Sequence, residues 1–332
     1  MDLYHIPGDT GGDWRLNKFV EYQHEVPSIH YRVLGEYIKR YVPDFDDAVM
    51  MCWYMSSTYN EVTCILLQEV FDWHKLTPGT VTEYCQEFWD VYKPLLEFGS
   101  SRKYAKNMDW FPQLMEDFIR LTKRKPFKWL SQQQGSSPVD SYHRLVSAVM
   151  HIPHVGRFAA DLFLESVMYL KDFFGLSYKE PSKLDWKHCS NLTSGLLNIM
   201  YLDQEANDFD KTGKISVPED DLRKELKTLQ CAIQEKYPDQ ENDINLFIGK
   251  ICSFRNLFKG TRYGGFHHDR ELGWIKLYQK RFPAHKFLWK RLYKLRKQMF
   301  PTRFLGELCG WEGIRKERKK LWLTEGLTGV EE

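Results

Sequence analysis

His151-Ile152-Pro153-His154-Val155-Gly156-Arg157-Phe158-Ala159-Ala160-Asp161-Leu162-Phe163 is the stretch on which the reading of the fold turns. Residues 142–150 before it carry helical spacing, and a second helix is expected over 157–174 after it. Pro153 and Gly156 leave room only for a tight turn between the two. Arg157 opens the second helix, and the small Ala159 and Ala160 let the helices approach closely. A helix, hairpin and helix so arranged leave backbone N–H groups free at a helix N-terminus, where a phosphate can sit. His154, Val155, Gly156 and Arg157 are therefore the candidate phosphate contacts. An ordinary corner between two helices is the plainer reading of the same residues.

Working outward, apolar residues recur with helical period over 46–73, 82–96 and 110–121. The first of these holds no Pro or Gly, so it is one long helix or two short ones. Pro43, Pro78-Gly79, Pro94, Gly99-Ser100-Ser101 and Pro126 punctuate the pattern, and 132–138 (QQQGSSP) is the clearest exposed connection. Neither strand alternation nor an internal repeat is found. The expected class is all-α. A helical lobe over 1–130 and a second lobe over 131–332, carrying the hairpin and basic C-terminal helices, are the expected domains.

Composition narrows the class further. With 332 residues and 42% hydrophobic content, the chain can bury a substantial core, which excludes global disorder. Aromatic residues reach 15% with 11 Trp; such side chains fill cores and also stack on nucleobases. Cys52, Cys64, Cys85, Cys189, Cys231, Cys252 and Cys309 are scattered singly, without zinc-knuckle spacing, and read as reduced thiols. The N-terminus shows no secretory pattern and no apolar run approaches a membrane span. A soluble, cytoplasmic protein without membrane partners is expected, with no cofactor and no bound metal.

The net charge of +2 hides an uneven distribution. Acids crowd 203–243, whereas from Lys280 onward the sign reverses. Lys286, Lys290, Lys294 and Lys297 follow helical spacing, with Leu288, Leu292, Leu295 and Met299 on the opposite stripe. Together with Arg291 and Arg296 they make a basic face suited to a phosphate backbone, or a solvated surface.

Three further segments carry chemistry. Lys183-Leu184-Asp185-Trp186, followed by Ser190-Asn191-Leu192-Thr193-Ser194-Gly195, sets an Asp before a polar, Gly-containing turn. That Asp is a general base, a cation stabiliser or a helix N-cap. In 252–270, Lys259, Arg262 and Arg270 can hold a polyanion around Tyr263, Gly264 and Gly265, while His267, His268 and Asp269 offer acid–base or metal-ligand groups. Residues 208–219 (DFDKTGKISVPE) match a calcium-binding EF-hand loop at several positions, although Thr212 is a poor ligand and there is no second copy. An acidic surface loop is the alternative there.

The hairpin resembles that of base-excision DNA glycosylases, with His154 in place of the first hairpin glycine. Taken in order, IPHVGRFAAD, LDW…SNLTSGLL and RYGGFHHDRE resemble the alpha-glutamyl/putrescinyl thymine pyrophosphorylases, the amino acid:DNA transferases of bacteriophages. Ser56-Ser57-Thr58-Tyr59-Asn60-Glu61-Val62-Thr63 and Ser100-Ser101-Arg102-Lys103-Tyr104 are similar to further blocks of that family, so the likeness spans roughly residues 45–275. It implies a glycosylase-related helical fold acting on double-stranded DNA with a modified thymine. The base would be 5-hydroxymethyluracil activated as its pyrophosphate ester, and an amino acid or polyamine would displace pyrophosphate. On this reading Asp185 or Asp269 accepts the amine's proton, and Arg102, Lys103, Arg262 and Arg270 neutralise the leaving group. Tyr59 and Asn60 then contact the flipped base, and Asn191, Tyr263, Gly264, Gly265 and His268 complete the substrate site. Lys286, Lys290 and Lys294 join the hairpin on DNA. A DNA glycosylase and a non-catalytic DNA-binding module are the competing functions.

Overall fold

The computed structural model describes residues 19, 32–77, 79–99, 102–179, 196, 218–238, 251, 266–300 and 305. Among the described residues every regular element is helical: α1 (Arg32–Tyr41), α2 (Phe45–Thr58), α3 (Glu61–Val70), α4 (Val81–Tyr92), α5 (Arg102–Leu121), α6 (Pro126–Gln132), α7 (Pro138–Met150), α8 (Arg157–Tyr169), α9 (Lys171–Phe174), α10 (Glu219–Lys236), α11 (Phe266–Arg281) and α12 (Lys286–Met299). The all-α expectation holds. None of these helices is long and apolar enough to cross a membrane.

The chain divides into two compact units, His30–Ser182 with Gly273–Met299, and Met1–Ile29 with Lys183–Leu272 and Phe300–Glu332. The first of these units runs across residue 130. Residues on both sides of 130 share one core, because α2 packs against α6 and α8 as well as α3 and α5.

In the first unit α2 is the central element. The Asp44 carboxylate accepts hydrogen bonds from the amides of Asp46 (2.7 Å) and Asp47 (3.1 Å), which caps the helix. Every residue from Ala48 to Thr58 is buried, so α2 has no solvent face and must be surrounded. Trp53 lies at its middle: its ring stacks on Phe118 of α5 at 4.3 Å and meets Phe163 of α8 edge-on at 5.8 Å. Its Nε1–H donates to the Leu114 carbonyl at 3.1 Å, which satisfies the one polar atom of a fully buried indole. Truncating such a residue to Ala typically costs about 3–5 kcal/mol. Cys52 and Cys64 are buried in the same core, and burial pushes both thiols well above their usual range. They are packing groups, not nucleophiles.

The 46–73 segment resolves into two helices, broken at Tyr59. That residue closes α2 in the left-handed conformation (φ 52°), and Asn60 starts α3 by accepting from the amides of Val62 and Thr63. The 110–121 helix begins earlier than its spacing suggests, at Arg102, and continues through Pro112. The connection 133–137 is a short capped turn: Ser137 accepts from Asp140 N–H, and the Asp140 carboxylate accepts from Ser136 N–H at 2.9 Å. The long helix expected over 157–174 is interrupted at Leu170.

In the second unit α10 buries Leu222, Leu226, Leu229 and Ile233, one face of an amphipathic helix. The first turns of α11 carry His267, His268, Asp269 and Glu271, all buried, and the His268 ring meets Phe300 edge-on at 4.4 Å.

Candidate nucleic-acid interface

The hairpin is built by two buried anchors and an exposed tip. Ile152 and Val155 are buried, whereas Pro153, His154 and Gly156 face solvent. Val155 N–H donates to the Ile152 carbonyl at 3.1 Å, closing a β-turn with Pro153 second and His154 third. His154 has φ 66°, the left-handed conformation that a glycine would adopt at this position without cost. The imidazole is thus carried on a backbone conformation that glycine adopts most readily. Histidine is among the residues that tolerate this region, at a cost of order 1 kcal/mol.

Gly156 caps α8 with no side chain, and its carbonyl accepts from Ala159 and Ala160 N–H at 3.0 and 3.1 Å. The first amides of α8 point out with the positive end of the helix dipole behind them. A Cβ placed on Gly156 would meet nothing within 4 Å, so the chain is open on that side of the helix start.

One partner of the hairpin is not visible as such in the sequence. Trp110 of α5 is 43% exposed and lies parallel to the His154 ring, centroids 3.9 Å apart at 16°. The buried stripe of α5 runs through Phe111, Leu114, Met115, Phe118 and Ile119, and Trp110 falls beside it. A large aromatic residue off the apolar stripe was the available signal. Asp117 of α5 senses the same imidazole: burial raises its carboxyl above the usual range, and His154 opposes that shift.

The basic helix holds in part. Lys286, Lys290, Lys294 and Lys297 are exposed on α12, opposite the buried Leu288, Leu292 and Leu295. None of the four has an ion-pair partner among the described residues. Arg296 does not join them; it is 2% exposed, on the packed side. Arg291 is taken up by α1 and its own helix, its guanidinium 4.7 Å from the Tyr41 ring and 5.4 Å from Phe287. The face is four lysines wide.

The remaining expected site residues fall in three groups. Asn60, expected on a flipped base, is 1% exposed and serves the scaffold: its Oδ1 caps α3 and its Nδ2 donates to the Glu97 carbonyl at 2.8 Å. Tyr59 beside it is half-buried. Arg102 and Lys103 open α5, and Arg157 opens α8. His268 and Asp269 are buried on α11 with Arg270 half-buried, so the end of the 252–270 stretch is helix rather than loop. Asp185, Asn191, Arg262, Tyr263, Gly264 and Gly265 lie outside the described residues, as does nearly all of the EF-hand-like stretch. Among the described residues no group of His, Cys, Asp and Glu is arranged to hold a metal ion.

Comparison with known proteins gives no match: no family model, no curated protein and no solved structure aligns with the chain.

Proposed function

We propose that this protein binds double-stranded DNA and replaces pyrophosphate on an activated 5-hydroxymethyluracil with an amine. The observation that carries the DNA half is the hairpin, with a left-handed His154 and an α8 N-terminus that no side chain caps. Backbone amides so exposed hold a phosphate without reading sequence, which suits an enzyme that acts on one modified base. The four exposed lysines of α12 support the same reading, because neutralising several phosphates is the main source of affinity for DNA.

The chemical half rests on the resemblance of the IPHVGRFAAD, LDW…SNLTSGLL and RYGGFHHDRE blocks to the phage transferases. In the reaction the amine lone pair forms a bond to the exocyclic carbon while the carbon–oxygen bond breaks and pyrophosphate leaves with its electrons. The proton released from the new ammonium passes to a carboxylate, Asp185 or Asp269. Arg102, Lys103, Arg262 and Arg270 stabilise the charge that grows on the leaving group. The target base must leave the helix for this carbon to be reached.

The distinguishing experiment incubates DNA bearing the pyrophosphorylated base with the protein and an amine, then assays both free base and inorganic pyrophosphate. The transferase releases pyrophosphate and no free base. Free base with an abasic site would make the protein a glycosylase and overturn the assignment.

A further inference from the structure

We propose that Trp110 and His154 form a stacking platform for one unpaired nucleobase of bound DNA. The inference rests on the DNA-binding reading and adds to it a contact that neither the hairpin nor the lysine face supplies.

The platform is pre-ordered. Ile152 and Val155 fix the hairpin in the protein, the turn fixes His154, and the imidazole covers one face of the indole at 3.9 Å. Trp110 stays 43% exposed even so, far more than a packing aromatic residue. A rigid aromatic side chain loses little conformational entropy on binding, and every nucleobase offers a π-face to it. The alternative role for the stack, as packing, is disfavoured by that exposure: Phe111, next along α5, is fully buried and does the packing.

Its surroundings suit a base better than a phosphate. Asp109, adjacent in sequence, is ion-paired with Lys93 at 2.7 Å, and the indole itself carries no charge. The phosphate has its own place nearby. His154 stands three residues before the first amide of α8, which is at most about 11 Å of extended chain. A phosphate held at those amides therefore keeps its own nucleoside within reach of Trp110. Paired bases are already stacked on their neighbours, so the platform rewards only a base that has left the stack.

The test uses the full chain and two fluorescent duplexes, one fully paired and one with a single-base bulge, titrated over a range of salt concentrations. The intact protein prefers the bulged duplex. Trp110→Ala lowers affinity for the bulged duplex about tenfold and leaves the paired duplex and its salt slope unchanged. Trp110→Phe retains most of the preference. His154→Gly suits the left-handed backbone and keeps the hairpin but uncovers the indole, so it loses part of the preference. Should Trp110→Ala unfold, His154→Gly carries the test. If Trp110→Ala or His154→Gly binds bulged DNA as tightly as the intact protein, the platform is wrong while the DNA reading stands. If the intact protein binds neither duplex, both are wrong.

Discussion

Gly99 lies against Tyr59 so closely that no side chain fits between them. Its amide donates to the Thr58 carbonyl at 2.7 Å, and a Cβ added to it would fall 2.7 Å from Cδ1 of Tyr59 and 2.9 Å from the Tyr59 carbonyl oxygen. The left-handed turn that ends α2 is thereby held against the strand of chain at 96–99, which Asn60 also grips through the Glu97 carbonyl.

Gly99→Ala is therefore expected to destabilise the protein by about 1–3 kcal/mol, the usual cost of overpacking a close contact. Part of the conflict is with backbone, which cannot swing away as a side-chain tip can. Urea unfolding measures it; a change within experimental error would mean that the 96–99 segment shifts freely.

Replacing Lys286, Lys290 and Lys294 together by Glu should weaken duplex binding for all sequences alike. The log–log dependence of affinity on salt should become shallower by about three. Fluorescence anisotropy across salt concentrations reads both. Unaltered affinity and slope would make α12 a plain solvated surface.

Alkaline pH should destabilise the fold. Burial pushes the hydroxyls of Tyr37, Tyr169 and Tyr178 up to about 12, against an ordinary value near 10. Between these values the unfolded chain has released protons that the folded chain still holds, so raising the pH favours unfolding. Melting temperature should fall as pH rises above about 10, and Tyr178→Phe should lessen the fall. A melting temperature flat from pH 9 to 12 would contradict it.

The sequence revealed elements better than their partners. The α12 stripe of Leu288, Leu292 and Leu295 against four lysines was legible, because helical periodicity records which face is buried. That Arg296 is buried was not, nor that Arg291 lies on Tyr41, which belongs to α1, far away in the chain. The place of 273–299 is equally non-local: it packs with α1, as Arg40 and Gln298 show by hydrogen bonding, and no local pattern encodes that return. The hairpin was legible from Pro153 and Gly156, yet its aromatic neighbour Trp110 comes from a different helix. Sequence alone does not separate the capping use of Asn60 from base recognition, because both use the same amide atoms.

Asp185→Asn probes the proposed base directly. The change keeps shape and most hydrogen bonding but removes the charge and the basic oxygen. Turnover should drop by about two to four orders of magnitude, with DNA binding and melting temperature preserved. Near-normal turnover would assign Asp185 a capping role, which Asn fills equally well, and move the base to Asp269.

Mass spectrometry of nucleosides tests the central claim most directly. DNA containing 5-(pyrophosphoryloxymethyl)uracil is incubated with the protein and a panel of amino acids and polyamines, digested, and compared with a reaction lacking protein. The account predicts a new nucleoside whose mass equals the 5-methylene-2′-deoxyuridine unit plus one amine from the panel, with loss of the pyrophosphorylated nucleoside. Recovery of that nucleoside unchanged with every amine, under conditions where the protein demonstrably binds the DNA, would contradict it.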